Sequence, residues 1–208
     1  MSDLDLQHQT RAAAFQTATS VRVRAAALPI THQIKGRFLD IGCGNGLFLL
    51  EYYAHSESRA MAFGLDFDRR AIYEACTLFK DNHAPAARLL IGNGYRLPFA
   101  DAQFEAVFCL NTLINIHPFA HIELLLTELH RVCKNEGRIV FDYRNNRNPY
   151  LWFQYRLNSM TGRLTTHGHH WREFQPLVQK LNINKTKRIA IPSPLPGFPL
   201  GYLTIWDK

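Results

Sequence analysis

Short apolar runs along the chain alternate with longer stretches whose apolar positions recur at helical spacing. The runs predict strands at 36–41, 60–66, 88–91, 104–110, 138–143, 185–192 and 200–207. The periodic stretches predict helices at 8–20, 46–55, 68–81, 119–133 and 170–181. In the fourth of these, Ile122, Leu125, Leu126, Leu129 and Val132 share one face. Leu97-Pro98-Phe99 reads as a loop, and Asn135-Glu136-Gly137 as a turn before the fifth strand. Strand alternating with helix implies a parallel sheet covered on both faces. The last two strands flank a Pro-rich stretch, 192–199, which predicts an antiparallel hairpin at the sheet edge. The expected fold is therefore α/β: a doubly wound, mostly parallel seven-stranded sheet with an antiparallel C-terminal hairpin. One domain over residues 1–208 is expected, without repeats or low-complexity tracts.

The most informative stretch is Phe38-Leu39-Asp40-Ile41-Gly42-Cys43-Gly44-Asn45-Gly46. An apolar run ends in an acid and then a glycine turn, with a helix beginning near Leu47. Such a turn lets backbone N–H groups approach a ligand, and the helix start favours a negative ligand group. A dinucleotide fits poorly. Its fingerprint places the third glycine three residues after the second, where this chain has Leu47. Asp40 would also repel a pyrophosphate. A ligand with an ammonium, a sulfonium and one carboxylate suits the turn, and S-adenosylmethionine has all three. Asp66, in Gly64-Leu65-Asp66-Phe67-Asp68, ends the second strand twenty residues after Gly46. At that spacing an acid meets ribose hydroxyls in doubly wound folds.

With FLDIGCGNG, GLDFD, GNGYRLPFADAQFEAVF and ELHRVCKNEGRIVF in place, residues 35–143 resemble the class I S-adenosylmethionine-dependent methyltransferases, the group with small-molecule acceptors. The resemblance implies that Asp40, Gly42, Cys43, Gly44 and Gly46 hold the methionine part. It implies Asp66 at the ribose and Asn93 at the adenine, with Phe67 and Gly94 as further cofactor contacts. Asn93 departs from the usual Asp, yet its side-chain carbonyl can still accept from the adenine amino group. Asn111 follows the fourth strand, where the family flanks the reactive methyl; a local turn role is the other reading. The family also places acceptor-specific insertions after the fifth strand, here about 144–170.

Composition sharpens the picture where it is uneven. Residues 1–133 carry 12 basic and 13 acidic side chains, whereas residues 134–208 carry 12 against 4. The basic excess in the C-terminal third points to an anionic partner or to a solvated basic face. Arg144, Arg147 and Tyr150 begin a segment of arginines and aromatics that continues through Trp152, Phe153, Tyr155, Arg156 and Arg163. Guanidinium groups pair with carboxylate or phosphate and rings stack on planar molecules, so these three are the expected acceptor contacts. The other reading of the segment is a helix laying Leu151, Tyr155 and Leu157 on the sheet. His117 and His167, with His169 as a further candidate, are the general bases if the acceptor requires one. The spacing of His167, His169 and His170 does not suit zinc, and no metal is expected.

The four cysteines lack C-x-x-C spacing, and Cys43 reads as small filler rather than a nucleophile. No apolar stretch is long enough to span a bilayer and no signal-peptide pattern opens the chain, so a cytoplasmic protein without a membrane partner is expected. Three functions fit: a methyltransferase with a small anionic acceptor, an RNA methyltransferase using the basic third, or a non-catalytic S-adenosylmethionine binder. The first is favoured, because the base-flipping motif expected after the fourth strand of a nucleic-acid enzyme is replaced by Asn111-Thr112-Leu113-Ile114.

Overall fold

A computed structural model describes residues 17–56, 60–85, 88–160 and 167–208. The elements are α1 (Ala18–Thr31), β1 (Arg37–Ile41), α2 (Leu47–His55), β2 (Met61–Asp66), α3 (Arg69–Asp81), β3 (Arg88–Ile91), β4 (Phe104–Cys109), α4 (Phe119–Val132), β5 (Cys133–Arg144), α5 (Pro149–Met160), α6 (Trp171–Lys180), β6 (Lys185–Ile191) and β7 (Gly201–Asp207). The seven strands form one sheet in the order β3-β2-β1-β4-β5-β7-β6. β1 to β5 run parallel, and β7 lies antiparallel between β5 and β6. The expected doubly wound sheet and its C-terminal hairpin are both present.

Burial follows strand position. In β1 every residue after Arg37 is buried, as a strand covered on both faces requires. The edge strands β3 and β6 expose alternate or terminal residues. Leu39, Ile41, Val107, Ile139, Phe141 and Trp206 meet α4 and α6 on one face. Phe38, Ala62, Phe108, Val140 and Ile205 meet α1, α2, α3 and α5 on the other. Chain order reverses direction between β1 and β4, and ligands of open α/β sheets bind in the crevice outside that switch point.

Three segments refine the expected pattern. Residues 8–16 of the helix expected at 8–20 lie outside the described residues, and the first helix among the described residues is Ala18–Thr31. Its weak amphipathic pattern and internal Pro29 conceal it in the sequence, yet Val23 and Ala27 are fully buried. Asn135-Glu136-Gly137 belongs to β5 instead of forming a separate turn. The ladder shifts register between Phe104 and Ala106, and Glu136 takes a φ of 64°, so the residues form an irregularity within a long strand. Of the two readings of the segment after β5, the helix is present: Pro149–Met160, with Leu151 buried and Tyr155 packed beside it. Arg163 and the side chain of Leu157 lie outside the description.

Candidate active site

The glycine turn sits between β1 and α2, at the switch point. Gly42 and Cys43 donate their N–H groups to the Leu65 carbonyl at 2.8 and 3.2 Å, which ties the turn to the end of β2. Gly42, Gly44 and Gly46 have φ values of 68°, 53° and 77°, a region that side chains beyond glycine strain to reach. A Cβ on Gly42 would also lie 2.3 Å from Thr112 Oγ1. α2 then starts at Leu47 with no side-chain cap and no acid in its first turn, so its N-terminus favours a carboxylate from outside the chain. Cys43 is buried, and burial pushes its thiol well above the ordinary value. Its Sγ fills the space over Gly64, as filler does.

Two carboxylates flank the turn. Asp40 is 2% exposed and Asp66 8%. Asp66 accepts from the Gly44 N–H at 2.8 Å through Oδ2 and from the Asp68 N–H at 2.9 Å through Oδ1. Burial raises the pKa of both acids. Asp66 raises that of Asp40 further, while Arg24 on α1 opposes the shift. Arg24 is itself buried and paired with Glu51 at 2.8 Å. Two acids held close and away from water favour a cationic ligand. That demand, beside a helix N-terminus open to a carboxylate, fits S-adenosylmethionine, which carries an ammonium and a sulfonium.

The outer wall comes from β2 and β3. Phe67 follows Asp66 and is 71% exposed. Asn93 is exposed, and its Oδ1 accepts the Tyr95 N–H at 2.9 Å, which fixes the side chain. A Cβ at Gly94 would come within 3.0 Å of Leu125.

The residues after β4 and β5 divide into two groups. Asn111, at φ 56°, donates its N–H to Asp142, and its Oδ1 accepts from Arg144 at 2.7 Å. Arg144 is 3% exposed and ion-paired with Asp142. This corrects the expectation of an acceptor contact: the guanidinium faces inward and braces the turn after β4. Arg147 is exposed, and Tyr150 stands exposed at the start of α5. Asn148, fully buried, accepts the Leu151 N–H at 3.0 Å and holds the carbonyls of Phe198 and Pro199, a structural role.

The second group brings His117 and His167 together. Their rings stack at 4.5 Å and 16°, although fifty residues separate them. The His167 N–H donates to the Ile114 carbonyl at 2.9 Å, which anchors this segment to the turn after β4. Burial lowers the His167 pKa, and His117 and His169 lower it further. His170 instead caps α6 in a reciprocal pair with Glu173. Among the described residues no group of three His, Cys, Asp or Glu side chains converges as a metal site.

Sequence reasoning missed Arg24 and Thr112. Arg24 had one signal, a charge between the buried neighbours Val23 and Ala27, but the helix carrying it was itself concealed.

Two stability predictions follow from these contacts. Replacing Arg144 with Ala should destabilise the fold by about 3 kcal/mol, because it leaves the buried Asp142 carboxylate unpaired. Chemical denaturation measures this, and a change below about 0.5 kcal/mol would contradict it. For Asp40, a raised folded-state pKa means the fold binds its proton more tightly than the unfolded chain does. Stability is thus full below the unfolded value, about 3.9, and declines as pH rises through the folded value. Asp40→Asn should therefore melt above the parent at about pH 8 without ligand, with a gap that closes toward about pH 4. A gap independent of pH would exclude the assignment.

Residues 39–141 match the family model described as a methyltransferase domain. A ubiquinone/menaquinone biosynthesis C-methyltransferase of Citrifermentans bemidjiense is 30% identical over 108 residues, 50% of this chain and 44% of that protein. A demethylmenaquinone methyltransferase of Roseiflexus sp. is 30% identical over 126 residues, 58% of this chain and 50% of that protein. The chain thus spans about half the length of the curated relatives it matches. A crystal structure of an S-adenosylmethionine-dependent methyltransferase from Methanosarcina mazei superposes with a TM-score of 0.67 at 21% identity, covering 86% of this chain and 97% of that one, which supports the fold. No helix among the described residues is long and apolar enough to cross a membrane. Glycine turn, paired acids, sheet order and matching domain agree: the chain belongs to the class I S-adenosylmethionine-dependent methyltransferases.

Proposed function

We propose that the protein transfers a methyl group from S-adenosylmethionine to a small, anionic acceptor, within a single domain in which residues 144–170 form the acceptor side. The observation that carries the proposal is the buried Asp40–Asp66 pair around the glycine turn, inside a segment that matches a methyltransferase domain. The names of the two relatives, a ubiquinone/menaquinone biosynthesis C-methyltransferase and a demethylmenaquinone methyltransferase, support a small-molecule acceptor, and the first supports methylation at carbon.

S-adenosylmethionine supplies, when bound, a methyl on a positively charged sulfur. Asp40 would face its cationic groups and Asp66 its ribose hydroxyls. The N-terminus of α2 would take its carboxylate, and Phe67 and Asn93 its adenine. The chain's remaining contribution is positioning and proton removal. His167, held neutral at pH 7 by burial and by its histidine neighbours, can take an acceptor hydroxyl proton on a ring nitrogen. Losing that proton makes an oxygen, or a carbon conjugated to it, a stronger nucleophile. His117 stacks on the ring and fixes its plane.

The basic C-terminal third favours a second reading, an RNA acceptor, whose binding would weaken steeply with salt.

Titration calorimetry followed by a turnover assay tests the proposal. Asp66→Ala should weaken S-adenosylmethionine binding by roughly 10- to 100-fold through loss of a charge-assisted hydrogen bond. Unchanged affinity would refute the ribose assignment. His167→Ala should lower kcat by about 100-fold and leave cofactor affinity intact. In the parent, kcat should rise with pH on an acid limb centred below about 6.5, since the base must be deprotonated. A variant with full activity would remove His167 from the chemistry.

A further inference from the structure

A cavity of about 470 Å³ opens beside the start of α6, between the end of β5, the β6–β7 pair and the loop before β7. Asp40, Asp66 and the glycine turn take no part in its walls. Three arginines do: Arg147 after β5, Arg172 in the first turn of α6, and Arg188 on β6. Among the described residues, no carboxylate lies within ion-pair distance of any of them. The acid beside them, Glu173, already accepts from the His170 N–H and faces His169 Nδ1 at 3.4 Å.

The arrangement is built rather than loose. The Arg188 guanidinium lies over the Trp171 ring at 4.8 Å and the Tyr202 ring at 5.1 Å, and donates to the Tyr143 hydroxyl at 3.2 Å. Ring contacts on this kind of cation hold it in one orientation and lower the entropy lost when it binds a ligand. His169, 4% exposed, lines the same cavity, and its Nε2 is buried without a hydrogen-bond partner among the described residues. Three like charges around one concavity repel each other unless an anion joins them.

We propose that this cavity binds a phosphate group carried by a small molecule, at a site separate from the cofactor cleft. The arginine forks suit phosphate oxygens bidentately. Trp171, Tyr202 and Phe198 offer an apolar wall to the body of the ligand, and the volume suits a molecule of metabolite size. Phosphate is favoured over a single carboxylate because it carries up to two charges against three guanidinium groups.

Calorimetric titration of pyrophosphate at constant ionic strength tests the site, with Arg147→Ala and Arg172→Ala as variants. Both side chains are exposed, so the fold should survive their loss. The parent should bind pyrophosphate saturably, each variant about tenfold more weakly, and all three should bind S-adenosylhomocysteine equally. Absence of saturable binding to the parent would overturn the proposal, as would variants that bind pyrophosphate undiminished. Tighter binding of a single-stranded RNA oligonucleotide, lost in both variants and falling by several powers of salt, would also overturn it by assigning the arginines to nucleic acid. The readouts involve no methyl transfer, so failure here leaves the proposed reaction standing, and failure of that reaction leaves this site standing.

Discussion

The fold holds two acids out of water within reach of each other, and the rest of the site follows from that. A buried carboxylate is costly unless it is paired or neutralised, and here the sheet places two at the ends of neighbouring parallel strands. The Gly44 and Asp68 N–H groups hold Asp66 in place, and Arg24, bound to Glu51, opposes the rise in the Asp40 pKa. Such an arrangement is tuned for something that arrives from solution with positive charge. The glycine turn makes room for it, because a side chain at Gly42 would collide with Thr112.

A different solution appears after β5. Asp142 and Arg144 neutralise one another in the core and lock Asn111 behind β4. That pair is structural, and it turns the end of β5 into a rigid support. Arg147, Arg172 and Arg188 lie farther along, with no carboxylate in ion-pair distance among the described residues. The cations of the C-terminal third therefore include one consumed by the fold, Arg144, and three that line a cavity.

Much of this was legible in the sequence because the signals are local. Asp40, the glycines and Asp66 lie within one strand–turn–helix unit and the strand after it, so spacing alone placed them. The edge hairpin was legible from the prolines between its strands. The inward turn of Arg144 was readable in principle, since residues two apart on a strand share a face, and Asp142 lies two before it. What was not legible depends on contacts across the chain. His117 and His167 stack through a loop closure of fifty residues, Arg188 meets Trp171 and Tyr202 across a strand pair and a helix start, and α1 shows too weak a period to be seen alone.

Titration calorimetry of S-adenosylmethionine at several pH values between about 4 and 6.5, repeated in buffers of different ionisation enthalpy, tests the central claim most directly. Over that range an α-amino group is already protonated, so any protons exchanged belong to the protein. The account predicts binding that releases protons, as a cation draws the raised acids into their ionised forms, and an affinity that increases with pH. Binding with no buffer dependence, or no binding, would contradict it.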